Sequence, residues 1–156
     1  MSLFAARTSV EQVELGDRLA PRFDAEGLLP AIVIDSRSST ILMLGYMNAE
    51  ALTATIRTRS AHFWSRSRRA LWRKGEHSGF TQRVDRILVD DDQDAVIIHV
   101  TLDGPGSCHV GYESCFYREI ELSVTPCSPA RLTMIEQARR FDADVVYAGL
   151  PNPTKL

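Results

Sequence analysis

Pro30-Ala31-Ile32-Val33-Ile34-Asp35, then Ser36-Arg37-Ser38-Ser39-Thr40, then Ile41-Leu42-Met43-Leu44-Gly45-Tyr46-Met47 decide the fold class of this chain. Two runs rich in β-branched and large apolar residues flank a short polar segment, the pattern of a β-hairpin. Asn48 follows at once and is placed to cap a helix running to about Arg59, with Leu52 and Ile56 four apart on its buried side. Beyond it, Ala61 to Ser65 and Ala70 to Arg73 read as short strands around a basic turn. Phe80 to Val89 reads as another strand, and an acidic turn leads into Ala95 to Leu102, where Val96, Ile98 and Val100 alternate. Gly104-Pro105-Gly106 forces a loop, and Ser114 to Val124 is expected to close the strand set.

Outward from this centre, residues 1–27 form an N-terminal arm, helical or irregular, with Val10 and Val13 three apart and Leu15 and Leu19 four apart. Residues 28–124 form the main domain, and residues 125–156 a C-terminal helical extension. Ser128-Pro129 is a good helix start, and Leu132, Ile135, Ala138 and Arg139 give that helix an apolar stripe and a basic end. The expected architecture is mainly β (α+β), mostly antiparallel, with a few short helices and a C-terminal helix.

Composition narrows the class. With 156 residues, 44% apolar and 24% charged, the chain is long enough to bury a core without disulfides. Apolar runs such as Ile41 to Leu44 and Ala95 to Ile98 are far too short to span a bilayer. The opening stretch turns acidic before an apolar core of signal-peptide length has formed, so the expected compartment is the cytoplasm. Three cysteines, an odd number, do not make a disulfide framework and are read as thiols available to metal.

The net charge of −2 conceals a local asymmetry. Seven basic residues and no acidic one lie between Arg57 and Lys74, whereas Asp85, Asp90, Asp91, Asp92 and Asp94 outnumber Arg86 in the next acidic block. A positive block followed by a negative one suits a ligand with phosphate at one end and a metal at the other, although two solvated faces would look the same.

Three stretches carry chemistry. In Asp90-Asp91-Asp92-Gln93-Asp94 an extended backbone would put Asp90, Asp92 and Asp94 on one side and Asp91 on the other. Clustered carboxylates repel unless a hard cation such as Mg²⁺ neutralises them; a solvated acidic turn is the plainer alternative. A calcium-loop reading fails, because its sixth position would be Ala95 rather than Gly and its twelfth Thr101 rather than Glu. In Gly104 to Arg118, Cys108 and Cys115 are two thiols that cannot close a tetrahedral site alone, and each alone is as easily a small buried hydrophobe. His109, next to Cys108, is placed to shuttle a proton if Cys108 holds a metal. The stretch from His62 to Gly79 combines aromatic residues, among them Trp64 and Trp72, with cations that can grip phosphate. That composition also suits RNA, and the stretch alone does not choose.

Taken in order, these stretches closely resemble the phosphoribosyl-AMP cyclohydrolase family. The resemblance runs from about Leu28 to Arg118 and covers Leu-Leu-Pro-Ala-Ile-Val, Leu-Met-Leu-Gly-Tyr-Met-Asn, His-Phe-Trp-Ser-Arg-Ser-Arg, Leu-Trp-Arg-Lys-Gly-Glu, Ser-Gly-Phe-Thr-Gln and Ser-Cys-Phe-Tyr-Arg. It implies an intertwined, mostly β homodimer with metal sites near the subunit boundary. It also implies metal-dependent hydrolysis of the N1–C6 bond of phosphoribosyl-AMP in histidine biosynthesis.

Carried over residue by residue, the resemblance puts Mg²⁺ ligands on Asp90, Asp92 and Asp94, and two of three zinc-ligating cysteines on Cys108 and Cys115. The third ligand falls on position 91, where this chain has Asp. Carboxylate is a legitimate zinc ligand, but a harder site also admits Mn²⁺, Fe²⁺ or Co²⁺. In the implied mechanism the metal acidifies water, hydroxide attacks C6, and His109 moves a proton. Charge alone nominates Arg66, Arg68 and Lys74 for the substrate phosphate. The expected partners are a small-molecule nucleotide and a second copy of the chain, not a membrane or nucleic acid. After Arg118 the resemblance thins, and Cys127 in the tail is a candidate substitute ligand. Two alternatives remain at this stage: a paralogue acting on another purine-type nucleotide with altered metal preference, and a non-catalytic metal- or nucleotide-binding protein.

Overall fold

The computed structural model describes residues 3–122 and 129–154. Its centre is the expected hairpin. Strands β1 (Leu29–Asp35) and β2 (Ile41–Met47) pair antiparallel, from Leu29 opposite Met47 to Ile34 opposite Ile41. Alternate side chains of β1 point into the core, with Leu29, Ala31 and Val33 buried. Asn48 then caps helix α2 (Ala49–Thr58): its Oδ1 accepts from the Ala51 N–H at 2.8 Å. The helix ends at Arg59 in a left-handed conformation (φ 54°), and it buries Ala51, Leu52 and Thr55.

A side-chain bond fixes what comes next. Thr55 Oγ1 accepts from the His62 N–H at 3.0 Å, which starts strand β3 (His62–Ser65) against the helix. Strand β4 (Ala70–Arg73) returns antiparallel to β3, and Phe63 is fully buried between the hairpin and the sheet. Strands β5 (Gln82–Val89) and β6 (Val96–Leu102) form a second long antiparallel pair. The alternation expected in β6 is present: Val96, Ile98 and Val100 are buried.

The main sheet has the order β2-β1-β6-β5. Its central pair, β1 with β6, is parallel, from Ala31 opposite Val96 to Asp35 opposite Val100; the other pairs are antiparallel. Parallel neighbours need a crossover, and here residues 36–95 supply it, including α2 and the β3–β4 hairpin.

The arm is helical in part, as expected, and the segment after Gly106 departs from the sequence reading. In the arm, helix α1 (Val10–Leu15), capped by Ser9, buries only Val13; Val10 and Leu15 are exposed, because so short a helix meets the body along one line. The expected strand from Ser114 is not one up to Tyr117: the Cys115 N–H donates to Leu42 O at 2.7 Å and Ser114 Oγ to Ile41 O at 2.6 Å, pegging this segment to the free edge of β2. Strand β7 covers Arg118–Ile120 only, and Val124 lies outside the described residues.

The expected helix from Ser128 is also replaced. Leu132–Met134 is strand β8, antiparallel to β7, while Leu132 and Ile135 of the expected apolar stripe are exposed. The polar groups around it explain the exchange. The Ile135 N–H bonds Tyr117 O, Glu136 accepts from the Glu113 N–H, and the Arg140 N–H bonds Gly111 O. The tail straps the 104–115 loop instead of coiling, and its helix α3 comes later, at Ala143–Val146. Ser128 and Cys127 lie outside the described residues.

Candidate active site

The acidic segment gathers its carboxylates through a turn, not through strand alternation. β5 stops at Val89 and β6 starts at Val96. Between them Asp90 Oδ1 accepts from the Asp94 N–H at 2.9 Å and the Ala95 N–H at 3.1 Å, and Gln93 takes a positive φ of 59°. One carboxylate oxygen of each of Asp90, Asp92 and Asp94 lies within 4.8 Å of the others, and this is the only such group of three or more His, Cys, Asp or Glu among the described residues. Three hard oxygen donors at that spacing fit a divalent cation. The site already attracts positive charge: Arg22 Nη2 bonds both Asp92 and Asp94. Asp91 is exposed on the same turn and is not gathered with Cys108 and Cys115 within one chain.

The second cluster lies on the 104–115 loop. The Cys108 N–H bonds Tyr112 O at 3.1 Å and the Gly111 N–H bonds Cys108 O at 3.0 Å, closing a tight turn around His109. Gly111 has φ 107°, and a Cβ there would stand 2.7 Å from Phe141 O, so this turn requires glycine. Cys108 is buried and Cys115 exposed. The Cys115 thiol hydrogen-bonds the Cys108 sulfur; with the Val110 and Tyr112 N–H groups and the Lys74 charge, this pushes Cys108 down to about 6. Cys115, holding the shared proton, is pushed up. Sharing a proton in this way favours a thiolate on Cys108, the form that ligates soft metals.

Lys74 sits beside this pair. Its ammonium donates to Ser107 O at 2.5 Å, and burial pushes its pKa down against the two sulfurs, which raise it. The residue nominated for phosphate is thus turned toward the thiols. Ser107 also binds Gln82, fully buried, whose Nε2 donates to Ser107 Oγ at 3.0 Å. Gln82 Oε1 and His109 Nε2 are buried without a hydrogen-bond partner. Burial, helped by the Lys74 charge, pushes His109 down and favours neutral imidazole, while a hydrogen bond with Asn152 of the tail opposes it. Gln82 is a residue the sequence reading missed; it lies in the quoted Ser-Gly-Phe-Thr-Gln motif, and only its burial singles it out.

The arginines form a third group. A cavity of about 430 Å³ is lined by Glu26, Leu28, Asn48, Trp64, Arg66 and Arg69. Arg66 stacks its guanidinium 4.0 Å over the Tyr46 ring. Arg68 Nε bonds Ser65 Oγ at 3.2 Å and lies 5.9 Å from the Trp72 ring, outside the cavity lining. Arg69, which charge reasoning passed over, lines the cavity with Arg66.

A mixed sheet, an acidic turn, a thiol pair with a neighbouring histidine and an arginine-lined cavity together define a class: a small α+β domain with side chains that could hold a metal ion and an anion. Comparison with known proteins identifies the family. The model for phosphoribosyl-AMP cyclohydrolase matches residues 43–117. A phosphoribosyl-AMP cyclohydrolase of Rhodopseudomonas palustris (strain HaA2) is 46% identical over 143 residues, covering 92% of this chain and 95% of the relative. One of Sinorhizobium fredii is 46% identical over 138 residues, covering 88% and 89%, and one of Brucella canis 49% identical over 138 residues, covering 86% and 96%. The chain belongs to the phosphoribosyl-AMP cyclohydrolase family. Coverage of 92% takes in much of the segment after Arg118, so the likeness extends further than the motifs do. Among the described residues no helix is long and apolar enough to cross a membrane.

Proposed function

We propose that this protein hydrolyses the N1–C6 bond of the adenine ring of phosphoribosyl-AMP, giving the formimino-carboxamide ribonucleotide of histidine biosynthesis. The observation that carries the reading is the conjunction of family membership with two donor sets of different softness, three carboxylates and a thiol pair. The hard set, Asp90, Asp92 and Asp94, suits Mg²⁺. The soft set, Cys108 and Cys115, needs a third ligand, and Asp91 of the partner subunit would provide it in a homodimer. Exposed Ile41, Leu44, Leu88 and Val89 on the edge strands β2 and β5 favour such a partner. With one carboxylate in the set, Zn²⁺ faces competition from Mn²⁺ or Fe²⁺.

When bound there, a divalent ion supplies Lewis acidity that makes water nucleophilic at neutral pH. The chain's own groups do the rest. His109, neutral and with Nε2 unpartnered, accepts a proton as water adds to C6 and returns it to N1 as the C6–N1 bond breaks. Gln82 Oε1 offers an acceptor to an amino group of the reacting ring. The Cys115 thiol, helped by the Lys74 charge, favours the anionic form of Cys108. Arg66, with Arg69 in the cavity and Arg68 beside it, grips phosphate. The enzyme works in the cytoplasm, where its thiols stay reduced.

Genetic complementation tests the function. A histidine auxotroph lacking the cyclohydrolase grows without histidine when it carries this gene, and fails to grow with Asp92→Asn. Failure of the wild-type gene despite good expression points to a paralogue acting on another purine-type nucleotide.

A further inference from the structure

Arg22 pairs with two of the three carboxylates that converge at the acidic turn. Its Nη2 lies 2.5 Å from Asp92 Oδ2 and bonds Asp94 Oδ2 as well, so one nitrogen occupies two of the three carboxylates that converge at this turn. The arrangement is not a chance surface contact, because the backbone that carries Arg22 is fixed to the same turn. The Arg22 N–H donates to Gln93 O at 2.8 Å, and the Ala20 N–H to Gln93 Oε1 at 2.7 Å. Gln93 Nε2 donates in turn to Val13 O at 2.8 Å, and the Gln93 side chain is buried between arm and turn. The arm is therefore held without help from the guanidinium. What the guanidinium adds is charge, delivered to the carboxylates and half exposed to solvent (54%).

We propose that Arg22 is a resident counter-ion of the carboxylate site: it neutralises Asp92 and Asp94 in the metal-free chain and must swing away before a divalent ion can bind. Arg22 thereby lowers the affinity of the site for metal while offsetting the repulsion between Asp92 and Asp94 without it. This inference rests on the reading that Asp90, Asp92 and Asp94 hold a divalent cation. The physical case is short. The carboxylates that accept from Nη2 are two of the three that converge at this turn, and arginine keeps its charge at any working pH, so the two cations compete for them. Displacement needs only side-chain rotation into solvent, since the Arg22 backbone stays bonded to Gln93.

Mn²⁺ alone is the probe, titrated into metal-free protein and followed by electron paramagnetic resonance of the free ion. Only the site that disappears in Asp92→Asn is counted. Arg22→Gln is expected to bind Mn²⁺ roughly fivefold or more tightly than wild type, because a competing charge-assisted pair is gone. Arg22→Lys keeps a cation at the position and stays closer to wild type. Metal-free Arg22→Gln also melts below metal-free wild type, and the gap closes at saturating Mn²⁺. Equal or weaker Mn²⁺ binding by Arg22→Gln overturns the proposal while leaving the metal site intact. If Asp92→Asn removes no site, the metal reading itself falls, and this inference with it.

Discussion

Gln82 donates its Nε2 to Ser107 Oγ at 3.0 Å while its own carbonyl oxygen, fully buried, accepts from nothing. A buried acceptor left unpaired costs about 1–3 kcal/mol, so Gln82 weakens the fold at the place where the proposed mechanism uses it. Gln82→Met keeps the volume and removes the orphan oxygen. The expected outcome is a melting temperature equal to or above that of wild type, with kcat/KM lower by about tenfold or more. Thermal melting and steady-state kinetics on one preparation check it; unchanged kinetics would make Gln82 a packing residue only.

The thiol pair gives a pH prediction with a definite sign. Cys108 is pushed down to about 6 from an ordinary value of 9.0, chiefly by the Cys115 thiol that donates to it. Its folded value is depressed, so the thiolate is present above about pH 6 and lost below. Ultraviolet absorbance of metal-free Cys127→Ser protein should show one thiolate titrating near pH 6 and the second only at much higher pH. In the same background, Cys115→Ala should move the low titration back up toward the ordinary range. A single transition of two thiolates near pH 9 would contradict the paired geometry.

The proposed role of His109 is to move protons, not to hold metal. Turnover of His109→Ala should fall by roughly a hundredfold or more, with bound metal per chain unchanged. Metal analysis beside kinetics separates the roles, since loss of metal in step with activity would make His109 a ligand.

Asp91 is exposed beside the carboxylate group and does not meet the thiols within one chain. If it completes their site from the partner subunit, Asp91→Cys exchanges a carboxylate for the stronger zinc ligand. The variant should hold Zn²⁺ more tightly against a chelator, and Mn²⁺ or Fe²⁺ should activate it less well relative to Zn²⁺ than they do wild type. Equal retention and the same metal ranking in both proteins would remove Asp91 from the site.

What could be read in the sequence was local. The β1–β2 hairpin, the Asn48 cap, and the alternation of Val96, Ile98 and Val100 each depend on neighbours a few residues away, and each is present. The parallel pairing of β1 with β6 joins residues 65 positions apart, and nothing in either strand's pattern specifies its partner. The tail misled for a related reason. Leu132 and Ile135 keep helical spacing, but hydrogen bonds to Tyr117, Glu113 and Gly111 decide that segment. For the candidate site, residue types and the family resemblance nominated Asp90, Asp92, Asp94, Cys108, Cys115 and His109. Gln82, Arg22 and Arg69 emerged from burial and position, which composition does not carry.

The most direct measurement is product analysis of purified, metal-reconstituted protein given phosphoribosyl-AMP. The account predicts a product heavier than the substrate by one water, with the six-membered ring opened to the imidazole carboxamide, formed by wild type and absent with Asp92→Asn. Substrate recovered unchanged from folded wild-type protein, whichever of Mg²⁺, Zn²⁺, Mn²⁺ and Fe²⁺ is supplied, would contradict it.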